Sequence, residues 1–190
     1  LKVGTAFEDD VAVGSMISEE QVQRVEGFLE RAKGEGAEVV TGGETLGTSG
    51  YHFKPTLVAN PSQDSETVQR EVFGPVVHLI RYRAADLEDL PRRINAAGYG
   101  LTFGIHSRIQ ASIDLVAREL AVGNVYVNRN MIGAVVGAQP FGGEGLSGTG
   151  PKAGGPRYLH RFATERTLTI DTTAAGGNAS LLSLNEEAVG

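Results

Sequence analysis

The chain has 190 residues, enough for one domain with a real core or for a large piece of a bigger one. Hydrophobic residues make up 41% and charged residues 21%, which excludes wholesale disorder, and the net charge of −6 argues against a generic basic surface for nucleic acid. No Cys is present, which excludes a disulfide framework, a cysteine zinc site and a cysteine nucleophile within these residues.

The first element is a helix from about Ser18 to Lys33. Ser18 and Gln21 have the S-x-x-Q spacing of a capping box, and Val22, Val25, Phe28, Leu29 and Ala32 then recur at helical spacing. Gly34 and Gly36 end it. Ala37 to Val40 reads as a short strand and Phe53 to Ala59 as a second. Val76 to Ile80 is a continuous apolar run, which predicts a strand covered on both faces, as in a parallel sheet. A helix follows from about Ala85 to Asn95, where Pro91 predicts a kink or a late start. Leu101 to His106 is the next strand. Ser107 and Gln110 form a second capping box before a helix faced by Ile109, Ile113, Val116, Ala117 and Leu120. Asn124 to Val127 is a further strand. This alternation predicts an α/β unit with a largely parallel sheet and flanking helices.

After Val127 the character changes. Residues 133–155 are glycine-rich and read as irregular, closely approached backbone. Arg166 to Thr173 alternates with period two and is β-branched, which predicts a strand. The tail from Ala174 mixes small residues with a Leu181-Leu182 patch.

No apolar run reaches the ~18–20 residues that a membrane span needs. The opening Leu1-Lys2-Val3-Gly4 has no Met and is not a signal peptide, so it reads as a cut inside a longer chain of cytoplasmic origin.

Several motifs mislead. Gly143 to Gly148 matches G-x-G-x-x-G, but Gln139-Pro140-Phe141 precedes it and Pro151 follows, so the strand-before and helix-after context of a dinucleotide fingerprint is missing. Lys152 completes no phosphate-binding loop. His52, His78, His106 and His160 lack metal-ligand spacing and read as ordinary structural histidines.

Glu71-Val72-Phe73-Gly74-Pro75 is the first discriminating signal, and it resembles the E-x-F-G-P motif of the NAD(P)-dependent aldehyde dehydrogenases. Tyr99-Gly100-Leu101, Gly123 to Asn128, and Pro140-Phe141-Gly142-Gly143 resemble later segments of that superfamily, in order. From Arg70 to Leu184 the resemblance narrows. Asn128 to Gly137, Gly142 to Pro156 and Thr172 to Leu182 are similar to the aldehyde dehydrogenase half of bifunctional proline utilisation A. That half oxidises L-glutamate-γ-semialdehyde, in equilibrium with Δ1-pyrroline-5-carboxylate, to glutamate. Residues 1 to about 69 resemble aldehyde dehydrogenases generally.

The resemblance implies a role for particular residues. Glu71 has two acceptor oxygens to offer the two hydroxyls of the nicotinamide ribose of NAD, and Phe73 would pack beside the nicotinamide. Gly133 and Ala134 are candidate anchors for the substrate α-carboxylate, because small residues let backbone N–H groups approach an anion. Phe141 would line the aldehyde tunnel. The cysteine nucleophile and the glutamate base of the family would both lie upstream of Leu1, so no catalytic residue and no metal ligand is assigned within this chain, and it should be inactive alone. Residues 1–163 would be the C-terminal part of the catalytic domain. Residues 164–190 would be an oligomerisation flap strand and tail, making a homo-oligomer. Two alternatives stay open: a segment of another semialdehyde or aminoaldehyde dehydrogenase, and a noncatalytic assembly module.

Overall fold

The computed structural model describes residues 1–171 other than 48 and 149. Helix α1 (Glu19–Gly34) begins where the capping spacing predicts, with Ser18 as N-cap and its Oγ accepting from the Gln21 backbone N–H at 3.2 Å. Glu19 and Glu20 sit in the first turn and Arg31 and Lys33 in the last, each matched in sign to its end of the helix dipole. The buried face carries Val22, Val25, Phe28, Leu29 and Ala32, as the periodicity requires.

That face packs on a three-stranded sheet of β1 (Glu38–Thr41), β2 (Thr56–Ala59) and β3 (Val76–Leu79), in the order β1-β2-β3. The core joins the α1 residues to Phe53, Val58 and Val72. Burying each such side chain fully contributes about 1.5–3 kcal/mol. β1 and β2 are antiparallel, with an irregular register between Val39 and Thr41. β2 and β3 are parallel, Thr56 opposite Val76 through Ala59 opposite Leu79. The crossover between them contains the short helix α2 (Glu66–Gln69), tied to α1 by the Arg31–Glu66 ion pair at 2.5 Å.

The second half repeats the logic. A 3₁₀ turn (Ala84–Asp86) precedes helix α3 (Leu90–Asn95), which starts late with Pro91 in its first turn, where a missing N–H costs nothing. Strands β4 (Tyr99–Gly100) and β5 (Thr102–Ile105) follow, then helix α4 (Gln110–Glu119) and strand β6 (Asn124–Val127). β5 and β6 are parallel, joined through α4. β7 (Glu144–Gly145) returns antiparallel to β4, so the glycine-rich segment folds back across the start of this half. The architecture is therefore α/β, with parallel pairs at both helical crossovers and antiparallel pairs at β1–β2 and β4–β7. A 3₁₀ turn (Tyr158–Phe162) closes the described elements.

Three local expectations need correction. Ser107 does not cap α4: its Oγ accepts from the Ile109 N–H, Ile109 is the N-cap residue, and Gln110 donates to Asp114 instead. A local serine turn competes here with the capping box and delays the helix. β3 is not covered on both faces, since Val77 is 63% exposed and Leu79 is also exposed. Of the expected strand Arg166 to Thr173, the described residues 166–171 form none, because no segment of the described chain pairs with them. Thr172 and Thr173, and the tail from Ala174 with Leu181-Leu182, lie outside the described residues.

Candidate cofactor and substrate site

Glu71, Val72 and Phe73 form a bridge within the six-residue link, 70–75, between α2 and β3. Val72 points inward and is part of the core, which turns its two neighbours outward. Helix α1 then holds the bridge by its carbonyls. Arg24 donates from Nη2 to the Glu71 carbonyl at 3.2 Å. Gln21 donates from Nε2 to the carbonyls of Val72 at 3.1 Å and Phe73 at 2.8 Å. The Gln21 side chain thus spends its donors on a distant segment and does not return to the helix start, so only half of the expected capping box forms.

Phe73 is 69% exposed and has φ +58, an uncommon conformation for a bulky residue. An exposed aromatic ring held in a disfavoured backbone region is the kind of local cost found at working sites. Gly74 lets this bridge lie against α1, for a Cβ there would stand 2.6 Å from Val25 Cγ2.

Glu71 and Phe73 line the same two clefts. The larger, about 610 Å³, is also lined by Arg70, His78, Tyr99, Phe103, Leu146 and Ser147. The smaller, about 230 Å³, is framed by Gln21, Arg24, Arg70, Glu71, Phe73 and Tyr99. His78 faces the larger cleft. Its Nε2 is 2.8 Å from Thr67 Oγ1, and partial burial holds the imidazole below its ordinary pKa.

Gly133 and Ala134 stand on the loop after β6, both exposed, with Gly133 at φ +91. They do not line the larger cleft, and neither does Phe141; the structure groups Glu71 with Phe73, and the other three on a separate segment. That segment is pinned from β6. Tyr126 donates from Oη to the Gly133 carbonyl at 3.0 Å, and its buried ring lies under the Arg129 guanidinium, 4.8 Å away. Asn124 donates to the Pro140 carbonyl at 3.1 Å and accepts from Lys152 Nζ at 3.2 Å; Lys152 also donates to the Gly123 carbonyl. Phe141 and Ala153 exchange both backbone hydrogen bonds, at 3.0 and 2.8 Å. Gly143 to Gly148 opens no helix. Its start is β7, followed by turn bonds from Ser147 to Glu144 and from Gly148 to Gly145.

Gln21, Arg24, Asn124, Tyr126 and Lys152 are the residues that sequence reading missed as parts of the site. Each acts by donating to a backbone carbonyl outside its own element. Only Gln21 had a local signal, and that signal pointed to helix capping.

Among the described residues no group of three His, Asp or Glu side chains could hold a metal ion, and no helix is long and apolar enough to cross a membrane.

The sequence profile of the aldehyde dehydrogenase family matches residues 1–168. The bifunctional protein PutA of Rhizobium meliloti is 51% identical over 154 residues, covering 81% of this chain and 12% of that protein. The 1-pyrroline-5-carboxylate dehydrogenase of Oceanobacillus iheyensis is 37% identical over 169 residues, covering 89% of this chain and 32% of that protein. Among solved structures, 1-pyrroline-5-carboxylate dehydrogenase from Thermus with bound NAD superimposes with a TM-score of 0.79 at 40% identity, over 85% of this chain and 31% of that one. The chain therefore spans about a third or less of the length of these relatives. Since the family match runs through both the Glu71–Phe73 bridge and the Gly133 loop, this chain belongs to the aldehyde dehydrogenase family.

Proposed function

We propose that this chain is the cofactor- and substrate-contacting part of an enzyme that oxidises L-glutamate-γ-semialdehyde to glutamate with NAD. The observation that carries the substrate class is the likeness to PutA and to 1-pyrroline-5-carboxylate dehydrogenases. The exposed Gly133–Ala134 pair is the feature of the structure that suits it.

The residues present fit the cofactor. The Glu71 carboxylate is exposed at the cleft and offers two acceptors to two ribose hydroxyls. The Phe73 ring is exposed beside it and supplies an apolar surface for a flat heterocycle. When bound there, NAD would supply the hydride acceptor. On this reading Glu71 and Phe73 limit where the ring can lie, which is a contribution of orientation and not of chemistry.

On the substrate side, Gly133 and Ala134 present backbone N–H groups to the α-carboxylate without a side chain in the way. Phe141 lines the path of the aldehyde, backed by the glycines after it. Thioester chemistry needs a thiolate and a base that activates water. The chain holds no Cys, so another part of the polypeptide supplies the nucleophile, and residues 1–190 alone are inactive. Residues 1–163 then belong to the catalytic domain. Residues 164–171, exposed and carrying Leu168 and Ile170 outward, suit addition to the sheet of a second subunit, so the enzyme is a homo-oligomer. The kinship with enzymes of proline catabolism favours the cytoplasm.

Turnover by the full-length protein tests this reading. NAD-dependent oxidation of glutamate-γ-semialdehyde should exceed that of succinate semialdehyde and of 4-aminobutanal, and the purified 190-residue chain should give none. Equal turnover of all three, or sustained turnover by the short chain, would overturn it.

A further inference from the structure

Resting on the reading of Gly133 and Ala134 as the carboxylate anchor, we infer that Tyr126 is the positioning residue that aims the Ala134 N–H at the substrate. Tyr126 is 5% exposed, so its hydroxyl approaches the loop from the protein side. It donates to the Gly133 carbonyl at 3.0 Å. That carbonyl and the Ala134 N–H belong to one peptide group. The peptide is trans, as are all in the described chain, so the two bonds point in opposite directions. Drawing the Gly133 oxygen inward therefore turns the Ala134 N–H outward, to the face where residues 131–138 are exposed. No acceptor among the described residues takes that N–H.

The direction of the Tyr126 hydrogen bond is itself determined. Lys152 is a donor only, and its Nζ lies 3.2 Å from Asn124 Oδ1, which assigns the oxygen of the Asn124 amide to the lysine side. The amide nitrogen then faces Pro140 O at 3.1 Å and Tyr126 Oη at 3.4 Å. With a donor already on its oxygen, the tyrosine hydroxyl gives its own hydrogen to Gly133. The Arg129 guanidinium lies 4.8 Å above the ring. Lys152, Asn124 and Tyr126 thus form one polarised chain that ends on the anchor peptide. The left-handed φ of +91 at Gly133 is the backbone state that this arrangement holds.

Tyr126→Phe removes the hydroxyl and keeps the ring. The full-length protein carrying it should show a KM for glutamate-γ-semialdehyde raised roughly five- to tenfold, the worth of about one hydrogen bond. Its kcat, its KM for NAD and its turnover of 4-aminobutanal, the same aldehyde without the carboxylate, should not change. Ala134→Pro, which deletes the N–H itself, should raise the KM for glutamate-γ-semialdehyde more than that for 4-aminobutanal. Loss of both aldehydes in parallel would mean that Tyr126 only supports the fold, and unchanged KM would mean that it does not aim the peptide; either result overturns the inference. The parent protein is the control. If it does not prefer glutamate-γ-semialdehyde to 4-aminobutanal, the carboxylate-anchor reading itself has failed, and this inference falls with it.

Discussion

Gln21 shows how one side chain can serve two distant parts of the fold. Its backbone N–H closes the start of α1 on Ser18, and its amide nitrogen holds two consecutive carbonyls of the Glu71–Phe73 bridge. Gln21→Ala leaves the helix cap in place and frees those carbonyls. The expected cost is about 1–2 kcal/mol of stability, read as a lower denaturation midpoint, with a raised KM for NAD in the full-length enzyme. Gln21→Glu should be worse, because a carboxylate would face two carbonyl oxygens. An unchanged KM for NAD in both variants would show that the bridge keeps its geometry without α1. The candidate contacts themselves were legible in the sequence, since Glu71, Phe73, Gly133, Ala134 and Phe141 all sit in recognisable motifs. Their supports were not. Spacing within a helix reports its own cap, whereas a hydrogen bond from Gln21 to Val72 depends on a fold that brings α1 beside β3. The same holds for Tyr126, which reads as a strand residue until its hydroxyl is seen at Gly133.

At the scale of elements, α1, β2 and β6 were readable because each has a clean pattern and, for α1, a working cap. α4 was placed early because Ser107 made a local turn in place of a cap, and α3 began late because Pro91 is tolerated only in the first turn. The α2–β3 junction carries a pH dependence of its own. Thr67 on α2 and His78 on β3 form a 2.8 Å hydrogen bond, and burial favours the neutral imidazole in the folded state. The unfolded chain takes up a proton near the ordinary value of about 6.5, while the folded chain resists it until lower pH. The stability from this junction is therefore present above that ordinary value and is lost as pH falls through the lower, folded one. Denaturation midpoints measured between neutral and mildly acidic pH should fall with acidification. His78→Gln keeps a hydrogen-bonding group and cannot titrate, so its slope should be flatter. Equal slopes would assign the acid sensitivity to other groups.

Taken whole, the molecule has its tightest core under α1 and leaves apolar surface open elsewhere. Val77 and Leu79 project from the outer face of β3, and Leu168 and Ile170, 73% and 71% exposed, from the segment beyond the last turn. The sequence pattern of both segments anticipates partners: a continuous apolar run for the one, and strict alternation for the other. Pattern alone says that a segment suits a sheet, but not which chain completes it, which is why β3 reads as buried and Arg166 to Thr173 as a strand. On the proposed function, the rest of the enzyme covers the first and a second subunit pairs with the other.

On the proposed function, Glu71 on the link between α2 and β3 offers a carboxylate to the cofactor, and Gly133–Ala134 on the loop after β6 offer backbone N–H groups to the substrate. A crystal structure of the full-length protein with NAD and glutamate bound tests it most directly. Both Glu71 oxygens should lie on the nicotinamide ribose, and the glutamate α-carboxylate within hydrogen-bond distance of the Gly133–Ala134 backbone. A ribose held without Glu71, or a carboxylate bound on another loop, would contradict it.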